Sequence, residues 1–244
     1  MNEVIRSLQE RKSTRAFEQR GISPEDKQTI LLAAMAAPSP GNQQLYTILD
    51  ITDQPLKDTL AVTCDNQPFI ATAPMVLVFI ADCQKWYDAY EYAELAPHKP
   101  GPGDIFHSIV DASIAAQNAV IAATSLGIGS CYIGDILERC EIHRPLFNLP
   151  RFAMPACMVV FGYPTEVQRN RQKPERCALK HIVHENGYRY MNAEELREML
   201  QKKTGGRPYE EWIAAFYNRK YASDFAAEMN RSVAEYCKEF TFKG

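Results

Sequence analysis

Apolar residues recur along this chain with two different periods, and the switch from one to the other marks its elements. A short amphipathic stretch ahead of Arg11 reads as a helix. From Ser23 the order is a hydroxyl, a proline, two acids and then KQTILLAAMAA. Ser as N-cap, Pro at the first helical position and an acid three residues after the cap mark a helix start, and the apolar run carries that helix to Pro38. PSPGNQQ breaks it with turn formers and amides. LYTILDIT then reads as a strand from its β-branched and aromatic content, and MVLVFIAD (75–82) as a second strand. The second strand has no polar alternation, which predicts cover on both faces, as in the middle layer of a three-layer sandwich.

The longest apolar helical pattern runs from Asp104 to Leu126, with Gly127 where a C-terminal glycine cap belongs. Its many small residues suit close packing, either in the core or at a subunit seam. GSCYIG (129–134) follows as a short strand-like piece between glycines, and MPACMVVFG (154–162) as a third buried strand. YPTEVQRNRQKPERCA (163–178) is polar and basic and reads as a surface loop, and HIVHENGY as a strand and turn. AEELREMLQKKT, PYEEWIAAFYNRKY and SDFAAEMNRSVAEYCKEF read as three helices. The class is α+β, with a single domain over 1–244 and a C-terminal helical extension from about 193.

Composition narrows the chemistry. The 244 residues are 46% hydrophobic, enough to bury a sizeable core. Lys plus Arg number 27 against 30 acids, a net charge of −3, so there is no basic excess for nucleic acid or an anionic membrane. No N-terminal apolar h-region is present and no apolar run reaches the length of a membrane span, so a cytoplasmic protein is expected. The seven cysteines are odd in number, scattered and without a CxxC pair, which predicts reduced, mostly buried thiols. Of the five histidines only His181 and His184 are close, and no metal site is expected. No GxGxxG or GxxxxGK[ST] loop occurs.

RKSTRAF (11–17) places Arg11, Ser13 and Arg15 on alternate positions. In an extended chain the three side chains share one side, an arrangement that suits a phosphate monoester. A solvated basic turn has the same appearance.

Taken in order, the chain reads RxSxR, PSxGNxQ, a doubly covered strand, AQNxxIAAxxLGIGxxxIG, a buried strand ending FGYP, and a basic KPxR loop. This order resembles the nitroreductase family of FMN-dependent oxidoreductases from about residue 3 to about residue 190. The KPERCALKHIVHENGY stretch and the long helical tail resemble its larger flavin-reductase and oxygen-insensitive nitroreductase branch.

The resemblance implies an α+β three-layer sandwich with a mostly antiparallel sheet, an intertwined homodimer with FMN at the interface, and ping-pong hydride transfer from NAD(P)H to a small-molecule acceptor. It implies that Arg11, Lys12 and Ser13 contact the FMN phosphate and ribityl chain, and that Arg15 stands on the flavin's pyrimidine side. Lys173 and Arg176 would supply further cations to the phosphate, although this loop is one residue longer than the branch pattern. Pro38, Ser39, Pro40 and Asn42 match the loop that one subunit lays against the other's flavin; where many members read NxQPW, this chain has Asn42-Gln43-Gln44-Leu45-Tyr46. Gln67 matches the amide that reads the pyrimidine edge, and Tyr132, Ile133 and Gly134 the turn whose backbone N–H groups face the hydride-accepting nitrogen.

The implied activity is reduction of nitroaromatics, quinones or free flavin. A related flavoenzyme with dehalogenase or dehydrogenase chemistry, or a non-enzymatic FMN-binding protein, is compatible with the same motifs. Arg207, with Lys202 and Lys203, matches cations that serve dinucleotide phosphates, and equally a basic cluster at a helix end.

Overall fold

The helix start at Ser23 works as its residues predict: in the computed structural model, which describes residues 1–240, the Ser23 hydroxyl accepts the Asp26 N–H at 3.0 Å. The helices are α1 (Glu3–Glu10), α2 (Pro24–Met35), α3 (Gln54–Thr63), α4 (Phe69–Thr72), α5 (Gln84–Tyr92), α6 (Pro102–Ser125), α7 (Cys140–Leu146), α8 (Glu166–Asn170), α9 (Ala193–Gln201), α10 (Tyr209–Lys220) and α11 (Asp224–Cys237). Strands β1 (Tyr46–Asp50), β2 (Met75–Asp82), β3 (Gly129–Ile133) and β4 (Ala153–Gly162) form one sheet in the order β1-β2-β4-β3, every pair antiparallel.

Every residue of β2 is buried, and the strand's two-residue period explains how. Met75, Leu77 and Phe79 join the cluster built with α2 and α6, whereas Val76, Val78 and Ile80 join the cluster beneath α3 and α4. In β4, Val159 and Phe161 face the first cluster and Met158 and Val160 the second. Helices therefore cover both faces of the sheet, and the three-layer α+β architecture expected from the unalternating strand is the one observed.

α6 fills the core. Its face of Ala112, Ala115, Ala116, Ala119, Val120 and Ala123 is fully buried, and α2 packs along it. By length and composition α6 is apolar enough to cross a bilayer, contrary to the expectation that no run reaches that length; its alanine face is instead buried against β2, β4 and α2.

Two segments differ from expectation. HIVHENGY (181–188) forms no strand, and its first residue closes the 3-10 turn Leu179–His181. The basic segment after Tyr163 is not loop throughout, since Thr165 caps α8 by accepting the Gln168 N–H. The short helices α3, α4, α5 and α7 carry too few apolar positions to stand out in the pattern.

Contacts divide the chain into two compact units: Met1–Arg171 together with the segment from Glu228 on, and Gln172–Ala227. Within the second unit, α9 opens with a capping box in which Asn192 and Glu195 exchange side-chain and backbone bonds. Trp212 is buried, and Arg197 pairs with Glu210 at 2.5 Å.

Candidate functional site

RKSTRAF lies along the outer edge of the sheet. Ser13 bridges Ser130 of β3 in parallel, and the Thr14 N–H donates to the Ser130 carbonyl at 2.9 Å. The approach is close enough to require a glycine on the strand: a Cβ at Gly129 would lie 2.4 Å from Thr14 Oγ1.

Burial raises the Cys131 thiol above its ordinary pKa, while the nearby Arg15, Arg11 and Arg171 charges and the Ser13 hydroxyl pull it back. Arg171 is a site residue that the sequence left unmarked within the run RNRQK. Its Nη2 donates to the Ser13 carbonyl at 2.8 Å. Lys12 has its Nζ engaged by the carbonyls of Arg169 and Arg171, both at 2.6 Å, and so ties two backbones together. The Arg15 N–H is held by Gln168 Oε1 at 3.0 Å.

Beside this segment is a cleft of about 640 Å³ between α1, the C-terminal end of α6 and the 164–169 segment, lined by Arg11, Lys12 and Thr14. Arg11 Nη1 and Ser130 Oγ are buried there without a hydrogen-bond partner among the described residues. A buried, unpaired guanidinium nitrogen is costly unless an anion meets it. These donors suit the phosphate of FMN.

Tyr132, Ile133 and Gly134 continue from Cys131 at the end of β3. The Tyr132 hydroxyl donates to Gln117 of α6 at 3.3 Å and Ile133 is buried. A Cβ at Gly134 would meet nothing within 4 Å, so the space beside this turn is open. Gln67 is half-buried, with its Nε2 donating to the Cys64 carbonyl at 2.8 Å.

The loop of Pro38, Ser39, Pro40 and Asn42 lies elsewhere. Ser39 donates to Asp111 near the middle of α6, whereas the cleft beside Arg11 is lined by Thr124 of the same helix. Thirteen residues of helix span roughly 20 Å, so this loop and the Arg11 segment do not meet within one chain. Lys173 and Arg176 belong to the second unit, where Arg176 donates to the Pro174 carbonyl. In that unit Arg207 Nε donates to the Thr204 carbonyl at 3.2 Å and Lys202 pairs with Glu175 at 3.1 Å.

Residues 8–163 match the Nitroreductase family. An FMN reductase [NAD(P)H] of Bacillus subtilis is 30% identical over 237 residues, covering 91% of this chain and 93% of that protein. An oxygen-insensitive NADPH nitroreductase of Salmonella typhimurium is 29% identical over 217 residues, covering 89% and 83%. Among solved structures, NADPH:FMN oxidoreductase from Vibrio harveyi complexed with NAD+ superposes with a TM-score of 0.81 at 25% identity, covering 97% of this chain and 98% of that one. With the sheet, the cationic edge segment and the match over residues 8–163 in agreement, the chain belongs to the nitroreductase family.

Proposed function

We propose that the protein is an FMN-dependent oxidoreductase that takes hydride from NAD(P)H and reduces nitroaromatic, quinone or flavin acceptors in ping-pong fashion. The observation that carries the reading is the buried Arg11 Nη1, without a hydrogen-bond partner among the described residues, in the cationic segment that Ser13 and Arg171 hold against the edge of the sheet. The FMN reductases and nitroreductases among its relatives support the same activity and cofactor.

FMN, when bound, supplies the redox chemistry itself. Arg11 and Ser13 hold the phosphate through charge-assisted and hydroxyl bonds. Arg15 presents a cation to the pyrimidine side, where negative charge accumulates on reduction. Gln67, its amide nitrogen engaged with Cys64, offers its carbonyl oxygen to the pyrimidine edge. The backbone of Tyr132 to Gly134 provides N–H donors beside open space. For Lys173 and Arg176 the family pattern alone supports a phosphate role, and the same pattern supports one nitroreductase-like domain over 1–244 with its helical extension.

The loop of Pro38, Ser39, Pro40 and Asn42 serves the flavin of a second protomer; the family pattern supports this role, and the loop's bond to Asp111 sets it apart from the cleft beside Arg11 at Thr124. An apolar stripe supports that dimer: Phe106 and Val110 of α6 are 67% and 51% exposed, and Leu32 and Met35 of the adjacent α2 are 56% and 52% exposed. The working picture is a dimer with the site at its interface, acting on small molecules rather than on nucleic acid or membrane.

Heat release of the chromophore from the purified protein, followed by anaerobic mixing of the holoprotein with NADPH or NADH, tests the reading. FMN as the released flavin, and bleaching by a dinucleotide, are expected. FAD, or holoprotein that neither dinucleotide bleaches, overturns it. Sedimentation of Phe106→Glu is expected to show a monomer that has lost FMN, since a shared site couples flavin binding to association.

A further inference from the structure

Asp111 breaks the alanine-rich face of α6, and nothing in the sequence pattern explains a carboxylate there. It is 1% exposed, and no ion pair compensates it among the described residues. Burial of an unpaired carboxylate is among the most expensive choices a core helix makes, so its hydrogen bonds require an account.

Those bonds go to the loop at 38–45. Asp111 Oδ2 accepts the Ser39 hydroxyl at 2.6 Å and the Leu45 N–H at 3.0 Å, and Ser39 Oγ in turn accepts the Gln44 N–H at 2.7 Å. One carboxylate oxygen therefore closes both ends of the loop. Between those ends the backbone turns left-handed at Gly41 (φ 58°), Asn42 (φ 55°) and Gln44 (φ 51°). Two of these are not glycine, and such conformations persist only where the surroundings hold them. Asp111 Oδ1 and the Tyr46 hydroxyl lie buried without hydrogen-bond partners among the described residues.

We propose that Asp111 is a positioning residue for the flavin site: it sets the shape of the 39–45 loop so that Ser39 and Asn42 arrive correctly at the flavin of the other protomer. The inference rests on the reading that this loop faces that flavin. A charge-assisted bond to Ser39 is stiffer than a neutral one, and the Leu45 bond fixes the loop's exit into β1. A loop with frozen ends presents its tip with little further ordering cost on binding.

The test uses the full chain as dimer, stripped of flavin and titrated with FMN, with Asp111→Asn, Ser39→Ala, the double variant and Asn42→Ala. Asp111→Asn keeps the shape of the side chain and loses its charge. It is expected to stay dimeric, to bind FMN about tenfold more weakly, and to shift the long-wavelength absorption band of the bound flavin. Ser39→Ala moves both readouts in the same direction, and the double variant is no worse than Asp111→Asn, because the two residues act through one bond. Asn42→Ala also weakens FMN. Unchanged FMN affinity and absorption in both Asp111→Asn and Ser39→Ala overturns the proposal, as does additive loss in the double variant. If Asp111→Asn fails to fold, Ser39→Ala alone decides on the same readouts. A silent Asn42→Ala instead defeats the underlying reading of the loop, and this inference with it.

Discussion

Lys12 and Arg171 secure each other's surroundings reciprocally. Lys12 Nζ donates to the Arg171 carbonyl at 2.6 Å, and Arg171 Nη2 donates to the carbonyl of Ser13, the residue after Lys12, at 2.8 Å. The pair clamps RKSTRAF to the segment that follows α8. Lys12→Ala and Arg171→Ala are each expected to weaken FMN binding about tenfold by loosening the clamp, and the double variant by less than the product, since the bonds close one ring. Titration of apoprotein with FMN, followed by quenching of flavin fluorescence, reads this directly. If Lys12→Ala leaves the affinity unchanged, the clamp is not what orders the segment.

Arg15→Ala should impair reduction more than binding. FMN is held at several points, so one lost contact at the ring leaves much of the affinity, but the cation opposite the accumulating charge is gone. A lost charge-assisted bond costs about 1.5–3 kcal/mol, roughly 30–65 mV in a two-electron midpoint potential. The variant is expected to stay yellow, with a lower potential and slower bleaching by NAD(P)H. Spectroelectrochemistry checks it, and an empty site with unchanged potential in the bound fraction would reassign Arg15 to the phosphate.

Gly129→Ala places a methyl 2.4 Å from Thr14 Oγ1 and 2.9 Å from Thr14 Cβ. Either β3 or the edge segment must move, and the segment is held by fewer bonds. Loss of FMN affinity is expected, together with a destabilisation of about 1–3 kcal/mol typical of overpacking. Adding Thr14→Ala removes the hydroxyl and methyl but leaves the Cβ, so it should restore flavin binding in part. Restoration absent altogether would mean that the strand, not the segment, had shifted.

Glu138 gives the fold a pH dependence. It is 5% exposed, Oε1 has no hydrogen-bond partner among the described residues, and burial with the nearby charges of Asp135, Asp65 and Glu228 pushes its pKa up to about 7. The folded state therefore holds this proton more tightly than the unfolded state does, and the carboxyl's favourable contribution is complete below about 4.5 and declines as the pH rises to about 7. Glu138→Gln removes that decline. Its melting temperature is expected to match the parent near pH 5 and to exceed it at pH 8, by an amount corresponding to about 1–3 kcal/mol. A parent-to-variant difference independent of pH would contradict the assignment.

Much of this protein is written locally. The Ser23-Pro24 cap and the unalternating apolar run of β2 each depend on neighbours in sequence, and each appears in the structure as its pattern predicts. Period and capping chemistry act within a few residues, so one sequence is enough to reveal them. Motif order extended that reach to the family and its cofactor.

The remaining features depend on which distant groups meet. Nothing in RNRQK distinguishes Arg171, which reaches Ser13, from Arg169, which pairs with Glu18 and the Pro164 carbonyl. Nothing near Lys12 in sequence shows that the chain around the end of α8 brings two carbonyls to its Nζ. Asp111 reads as a stray charge on an apolar helix, and only packing against the 38–45 loop supplies its partners. The sequence by itself determines which groups are available for bonding; long-range packing decides which of them are consumed internally, because a buried donor or acceptor must find its partner wherever the fold brings one.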